Sequence, residues 1–409
     1  MTDRFSPAWR NSASARVAGF VEGSSLPGAL ALLWADGELV LATAAGERAP
    51  GVPMEMDAIF QIASMTKPIV SVAALQLVDE GILGLDDPIE AWIPELASPR
   101  VLEDPTGPLS RSRAASRPIT VQHLLTHRAG FGYAFLDEGP IATAYDRAVG
   151  SVLSTTYDVD EWLGALAGLP LLDEPGTRFR YGHSTDVLGC LLARVDGVTL
   201  GESLRRRVLG PLGMTDTDFA VPDDKRHRLA RIVQQTPESR VDVTAAPAVP
   251  PRFEAAGGGL YSTGPDYLRF ARLILGGGRL DDTRLLQPRT AALMLQNHLP
   301  ADVRALPAIG RADFFEHSGF GYGVGVVLDA IGPESPRPGA VNWKGIFGTW
   351  WRADADAGIA AVLMTQEAAD ITSASGPRNT TVPTAAGLLQ EEFEAMIYRT
   401  VNEGWGKSA

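Results

Sequence analysis

Ser64 and Lys67 stand three residues apart at the head of a long apolar run, in the stretch DAIFQIASMTKPIVSVAALQLVDEGI that covers residues 57–82. On a helix this spacing sets a hydroxyl and an amine one turn apart on the same face, close enough to share a proton. An amine that is neutral part of the time can serve as the base for a serine hydroxyl, and apolar surroundings favour the neutral form of an amine. The lysine is conspicuous: only Lys67, Lys225, Lys344 and Lys407 occur among 36 Lys+Arg, and only Lys67 has a serine three residues before it. The chain otherwise prefers arginine, which does not release its proton at ordinary pH. Taken alone, such a pair is more often a helix cap beside a snorkelling lysine, so its surroundings decide between the two.

Those surroundings are helical and buried. From Pro68 to Glu80, the residues Ile69, Val70, Val72, Ala73, Leu75, Leu77 and Val78 wrap every side, which predicts a helix covered by protein on most faces. Pro68 is tolerated only in a first turn, so the helix begins close to Ser64, and Gly81 stops it.

At 409 residues the chain is long enough for two domains or one large one, and 45% hydrophobic with 21% charged residues is the composition of a globular protein with a sizeable core. A net charge of −13 argues against nucleic acid and anionic membrane as partners. The lone Cys190 excludes an internal disulfide and any cysteine-based metal cluster. His123, His127 and His183 are not spaced like ligands of one site, so no metal and no cofactor is implied. No apolar run is long enough for a signal peptide or a membrane span, which leads us to expect a cytoplasmic protein. Nothing in the sequence sets an oligomeric state.

In chain order, a first amphipathic helix is expected near residues 7–22, then a hairpin of residues 28–34 and 38–43 about Asp36-Gly37. Residues 85–94 read as a short helical cover, and residues 98–118, rich in Pro, Arg and Ser, as an exposed loop. Helices are predicted at 121–127, 159–169 and 185–195, with Tyr181 in a short connection just ahead of the last. The segment 210–218 reads as a helix end, and a glycine-rich stretch at 254–263 leads into a helix at 265–275. Strand-like runs follow at 321–328, 345–351 and 358–365, then an amphipathic helix at about 385–401. No internal repeat is present. Strands at both ends with helices between them predict an α/β fold of the α+β type, with one antiparallel sheet built from residues 1–84 and 240–409 and a mostly helical insertion at 85–239.

With these pieces in order, the chain resembles the serine β-lactamase and penicillin-binding-protein superfamily, closest to class C β-lactamases and family VIII carboxylesterases, over roughly residues 30–366. The resemblance rests on Ile62-Ala-Ser-Met-Thr-Lys67, Gln122-His-Leu-Leu-Thr-His-Arg-Ala-Gly-Phe131, Pro175-Gly-Thr-Arg-Phe-Arg-Tyr181, Gly257-Gly-Gly-Leu-Tyr-Ser262 and Trp343-Lys-Gly345. It implies that Ser64 is the acylated nucleophile, Lys67 its proton acceptor and Tyr181 a proton shuttle. A structural Tyr181, facing solvent or capping the core, is the plainer alternative. The resemblance also implies an oxyanion hole formed by the backbone N–H groups of Ser64 and Ile346, with Trp343, Gly345 and His183 at the substrate.

Two departures bear on the substrate. The superfamily's lactamases carry Asn where this chain has His183, and Lys or His where it has Trp343, an apolar side chain with one N–H and no charge. Both changes weaken recognition of a carboxylate-bearing lactam or peptide. His317-Ser-Gly319 also fits the third motif, but the elements that follow Trp343 suit that motif better, and Lys344 is expected on the sheet's other side. No G-x-S-x-G occurs, since Gly182-His-Ser-Thr-Asp186 lacks the last glycine. The expectation is therefore a metal-free serine carboxylesterase for a small ester. The alternatives are a β-lactamase or D-amino-acid peptidase, an acyltransferase, and a slowly acylating penicillin sensor.

Overall fold

Strands β1 (Gly28–Ala35) and β2 (Glu38–Ala49) pair antiparallel across Asp36-Gly37, whose φ angles of 52° and 91° are those of the tight turn that Asp-Gly favours. The computed structural model describes residues 4–150, 153, 155–235, 240–368 and 384–403. The expected division at 239/240 therefore borders residues outside those described. Beyond β3 (Val52–Pro53), the main sheet is completed by β4 (Ser318–Phe320), β5 (Gly325–Val327), β6 (Val341–Lys344), β7 (Trp350–Asp354) and β8 (Ile359–Met364). The strands lie in the order β4-β5-β6-β7-β8-β1-β2-β3, antiparallel throughout. Leu30 opposite Met364 and Ala35 opposite Ile359 join the two ends of the chain, as expected.

Alternation along β1 and β8 decides which helices cover which face. Leu30, Leu32, Val362 and Met364 point to one side, and Ala29, Ala31, Leu33, Ala361 and Leu363 to the other. The second face is closed by helices α1 (Pro7–Glu22) and α5 (Ala385–Val401), through Val17, Val21, Leu389, Phe393 and Ile397. The first face carries α2 (Thr66–Asp79), α3 (Ser184–Asp196) and α4 (Gly264–Leu275) in a single apolar cluster that runs on to Trp162 and so spans both sides of the expected 84/85 division. Burial on both faces explains why β1 reads as a continuous apolar run.

Helix α2 is buried from Thr66 to Leu77 and ends at Gly81, whose φ of 71° lets Ile82 N–H reach back to Leu77 O. Three expectations need correction. Residues 98–118 contain a hairpin, Arg100–Leu102 paired with Ser112–Ala114, where an exposed loop was expected. The strand expected at 321–328 is confined to β5, because Gly323 passes so close to α2 that a Cβ there would sit 2.0 Å from Ser71 Oγ. The strand expected at 345–351 is displaced: β6 ends at Lys344, a turn closed by Gly345 N–H to Thr349 O follows, and β7 starts at Trp350.

The helical cover of the sheet is testable at Phe393, a residue of α5 that is wholly buried and packs against Trp350 of the sheet. Phe393→Ala should cost about 3–5 kcal/mol of folding free energy, read from the denaturant midpoint. A midpoint unchanged within error would mean that α5 does not hold this face.

Candidate active site

Ser64 sits in the 3₁₀ turn Ala63–Met65 that opens α2, directly after a backbone held in an unusual conformation. Ala63 has φ 44°, the left-handed region, which costs a residue with a Cβ on the order of 1–3 kcal/mol and persists only where neighbours over-determine it. The neighbours are hydrogen bonds from Ile62 N–H to Leu260 O, Thr349 Oγ1 to Ile62 O, Leu260 N–H to Thr66 Oγ1 and Tyr267 Oη to Met65 O. At about 0.5–1.5 kcal/mol each, four such bonds offset the strain. Gly345 also belongs to this clamp, because a Cβ there would lie 2.5 Å from Ile62 O and 2.2 Å from Thr349 Oγ1. The glycine thus lets the end of β6 lie against the serine turn.

The Lys67 side chain is 1% exposed, and its Nζ lies 3.1 Å from Ser64 Oγ and 2.5 Å from Gly257 O. It also faces the ring of Tyr181 at 4.6 Å and that of Tyr133 at 5.6 Å from the centroids. A neutral amine in this position donates one N–H to Gly257 O and can turn its lone pair to the serine proton. Both rings thus lie within cation–π range of the amine.

Tyr181 is positioned by its neighbours on both sides. Arg180 bonds Asp173 and Asp137 at 2.7 Å each, and its N–H bonds His127 O, while a Cβ at Gly182 would strike Phe131 O at 2.1 Å. The Tyr181 ring packs on His127 at 4.8 Å and Trp343 at 5.6 Å, and its hydroxyl accepts a hydrogen bond of 3.1 Å from Trp343 Nε1. That bond gives the tryptophan a second task, aiming the phenolic oxygen, which its apolar character did not reveal.

The structure thus brings Ser64, Lys67, Tyr181, Trp343 and Gly345 together. Among the described residues neither Ser64 N–H nor Ile346 N–H has a partner, which leaves both donors available. Ile346 is 38% exposed, and Phe135, stacked on Tyr133 at 5.0 Å, is 37% exposed. His183 is corrected: it is 3% exposed and enclosed by Tyr133, Tyr145 and Trp162, with Nδ1 3.1 Å from Asp186 Oδ2, so it lies behind the site and does not line it. His317 is exposed beside the edge strand β4, and Lys344 is exposed while Trp343 is buried, in keeping with alternation along β6. Sequence reasoning assigned no role to the Gly257 carbonyl, Tyr133, His127 or Asp186. The available signal for Asp186 was a carboxylate directly ahead of the apolar run at residues 187–192. No group of His, Cys, Asp and Glu among the described residues could hold a metal ion.

Burial, and then the charge on Lys67, keep His127 well below its ordinary pKa, while burial followed by Arg128 and Arg117 pushes His123 down to about 4. Burial also lowers His298. The unfolded chain takes up these protons near pH 6.5 and the folded chain does so only at lower pH, so stability is retained above about 6.5 and lost as pH falls toward 4. Urea midpoints at pH 7.5, 6 and 5 should decline. His123→Gln should flatten the decline, since glutamine can keep the bond that Thr120 N–H makes to the His123 ring while removing the titration. An unaltered slope would show that His123 titrates alike in both states. A second expectation concerns Trp343→Phe, which retains an aromatic wall and removes the N–H that aims Tyr181. Turnover of a p-nitrophenyl ester should fall roughly tenfold, the kinetic equivalent of one hydrogen bond, with the melting temperature little changed.

A family model described as Beta-lactamase matches residues 13–378. Protein Rv1367c of Mycobacterium tuberculosis is 40% identical over 390 residues, covering 92% of this chain and 95% of that protein. Esterase EstB of Burkholderia gladioli is 32% identical over 375 residues, covering 86% and 88%. Among solved structures, EstCE1, a hydrolase with promiscuous acyltransferase activity, superposes with a TM-score of 0.77 at 24% identity, covering 95% of this chain and 99% of that one. The chain belongs to the beta-lactamase family and is an enzyme of the serine β-lactamase-like superfamily.

Proposed function

We propose that the chain is a serine carboxylesterase that cleaves short to medium acyl esters through an acyl-enzyme on Ser64. The observation that carries this reading is the Trp343 indole at the third-motif position, with its N–H engaged by Tyr181 Oη and no charge to offer a substrate carboxylate. The similarity to Esterase EstB supports the same substrate class.

Ser64 Oγ attacks the ester carbonyl carbon as its proton passes to Lys67 Nζ, 3.1 Å away. The developing oxyanion lies between the N–H groups of Ser64 and Ile346. As the tetrahedral intermediate collapses, the leaving alkoxide takes a proton relayed through Lys67 and Tyr181. Water then attacks the acyl carbonyl as its proton passes to Tyr181, which hands its own proton to Lys67; that proton returns to Ser64 Oγ as the intermediate collapses and the acid leaves. An alcohol in place of water at that last attack would make the product a new ester, so added alcohol distinguishes transfer from hydrolysis by the product ratio.

The test is one panel read on the parent and on Lys67→Arg: p-nitrophenyl esters of rising chain length, a chromogenic cephalosporin and D-alanyl p-nitroanilide. The parent should turn over the esters and scarcely touch the other two; a cephalosporin rate equal to the best ester rate would sink the esterase reading. Lys67→Arg should fold but acylate negligibly in short-exposure intact-mass experiments, because arginine keeps the charge and does not give up its proton.

A further inference from the structure

Asp186 carries a wholly buried carboxylate in the first turn of α3, where the helix start favours negative charge. Its oxygens are shared among three groups. Oδ1 accepts the Gly257 N–H at 2.7 Å, and Oδ2 lies 3.1 Å from His183 Nδ1 and 3.4 Å from Tyr133 Oη. The other end of the Gly257 residue is the carbonyl that accepts from Lys67 Nζ at 2.5 Å. A single glycine thus stands between a buried carboxylate and the buried amine, gripped through its N–H by one and through its C=O by the other. No larger residue fits there: a Cβ on Gly257 would lie 2.7 Å from Tyr133 Oη and 2.8 Å from Asp186 Oδ1.

We propose that Asp186 is a positioning residue for Lys67, holding the Gly257 main chain so that its carbonyl takes one amine N–H and directs the amine lone pair at Ser64. The inference rests on the reading of Lys67 as the base. The physical reason is that an amine on four methylenes has freedom to rotate away from the serine, and an acceptor fixed by a charge-assisted hydrogen bond removes that freedom. Asp186 needs no contact with substrate to do this. His183 and Tyr133 close the remaining approaches to the carboxylate, and Cys190 lies nearby on the next turn of α3. Tyr181, Tyr133 and His127 face the amine from the other elements.

The experiment is a double-mutant cycle on the full chain, with single-turnover acylation by an activated p-nitrophenyl ester and thermal melting measured for Asp186→Asn, Lys67→Met and the pair. Asp186→Asn should slow acylation by about ten- to a hundredfold at saturating ester, with the half-saturating concentration unchanged. On the Lys67→Met background the same change should cost nothing more, because its whole effect passes through the amine. An equal loss on both backgrounds, or a folded Asp186→Asn that acylates like the parent, overturns the proposal. If Asp186→Asn does not fold, Asp186→Ser, which leaves room for a water at the Gly257 N–H, takes its place in the cycle. Lys67→Met that acylates at the parent rate would instead end the reading of Lys67 as base, an outcome distinct from failure of the Asp186 proposal.

Discussion

In the proposed mechanism the site depends on one constraint, an amine that must be buried and still be able to exchange a proton with its neighbour. Lys67 is 1% exposed, and removing an ammonium from water without partners would cost several kcal/mol. Its partners are a main-chain carbonyl, a serine hydroxyl and two aromatic faces. None of the four is a carboxylate in direct contact, which would hold the proton on the amine. The nearest carboxylate bond in this network is that of Asp186, one glycine removed.

A second requirement follows from it. In the proposed mechanism the serine must meet that amine while its own N–H stays free, and Ser64 directly follows the left-handed turn at Ala63. That turn is clamped by residues from distant parts of the chain, among them Leu260, Tyr267 and Thr349, with Gly345 packed against it. The strand that supplies Trp343 therefore also runs into the clamp on the serine turn. Loosening β6 would be felt at Ser64 and at Tyr181 together, because Trp343 Nε1 holds the tyrosine hydroxyl.

Much of this is legible in the sequence. The period of the apolar residues marks α2 as buried, Pro68 places its start, and Ser64 and Lys67 follow on one face because a helix turns every 3.6 residues. Asp36-Gly37 announces its hairpin by local turn chemistry, and Gly81 its helix end. Such features are legible because their causes lie within a few residues along the chain. The strands near the C-terminus are less legible. Gly323 and Gly345 punctuate them for reasons that lie in α2 and in the serine turn, hundreds of residues earlier.

By itself, then, the sequence determined the buried helix, the serine and lysine one turn apart upon it, the tyrosine ahead of α3 and the uncharged Trp343. Tertiary structure alone decided that the Trp343 N–H aims Tyr181, that His183 lies behind the site against Asp186, and that Gly257 couples that carboxylate to Lys67. The physical reason is range. Helix periodicity and turn preference act between near neighbours, whereas the contacts of Trp343 with Tyr181 and of Gly257 with Asp186 and Lys67 join segments whose approach is set by how the sheet and its helices pack; His183 and Asp186 are three residues apart, but the rings that enclose His183 come from other segments. A buried polar group takes whichever partner that packing brings within 3 Å or so, and no local pattern records which one it is.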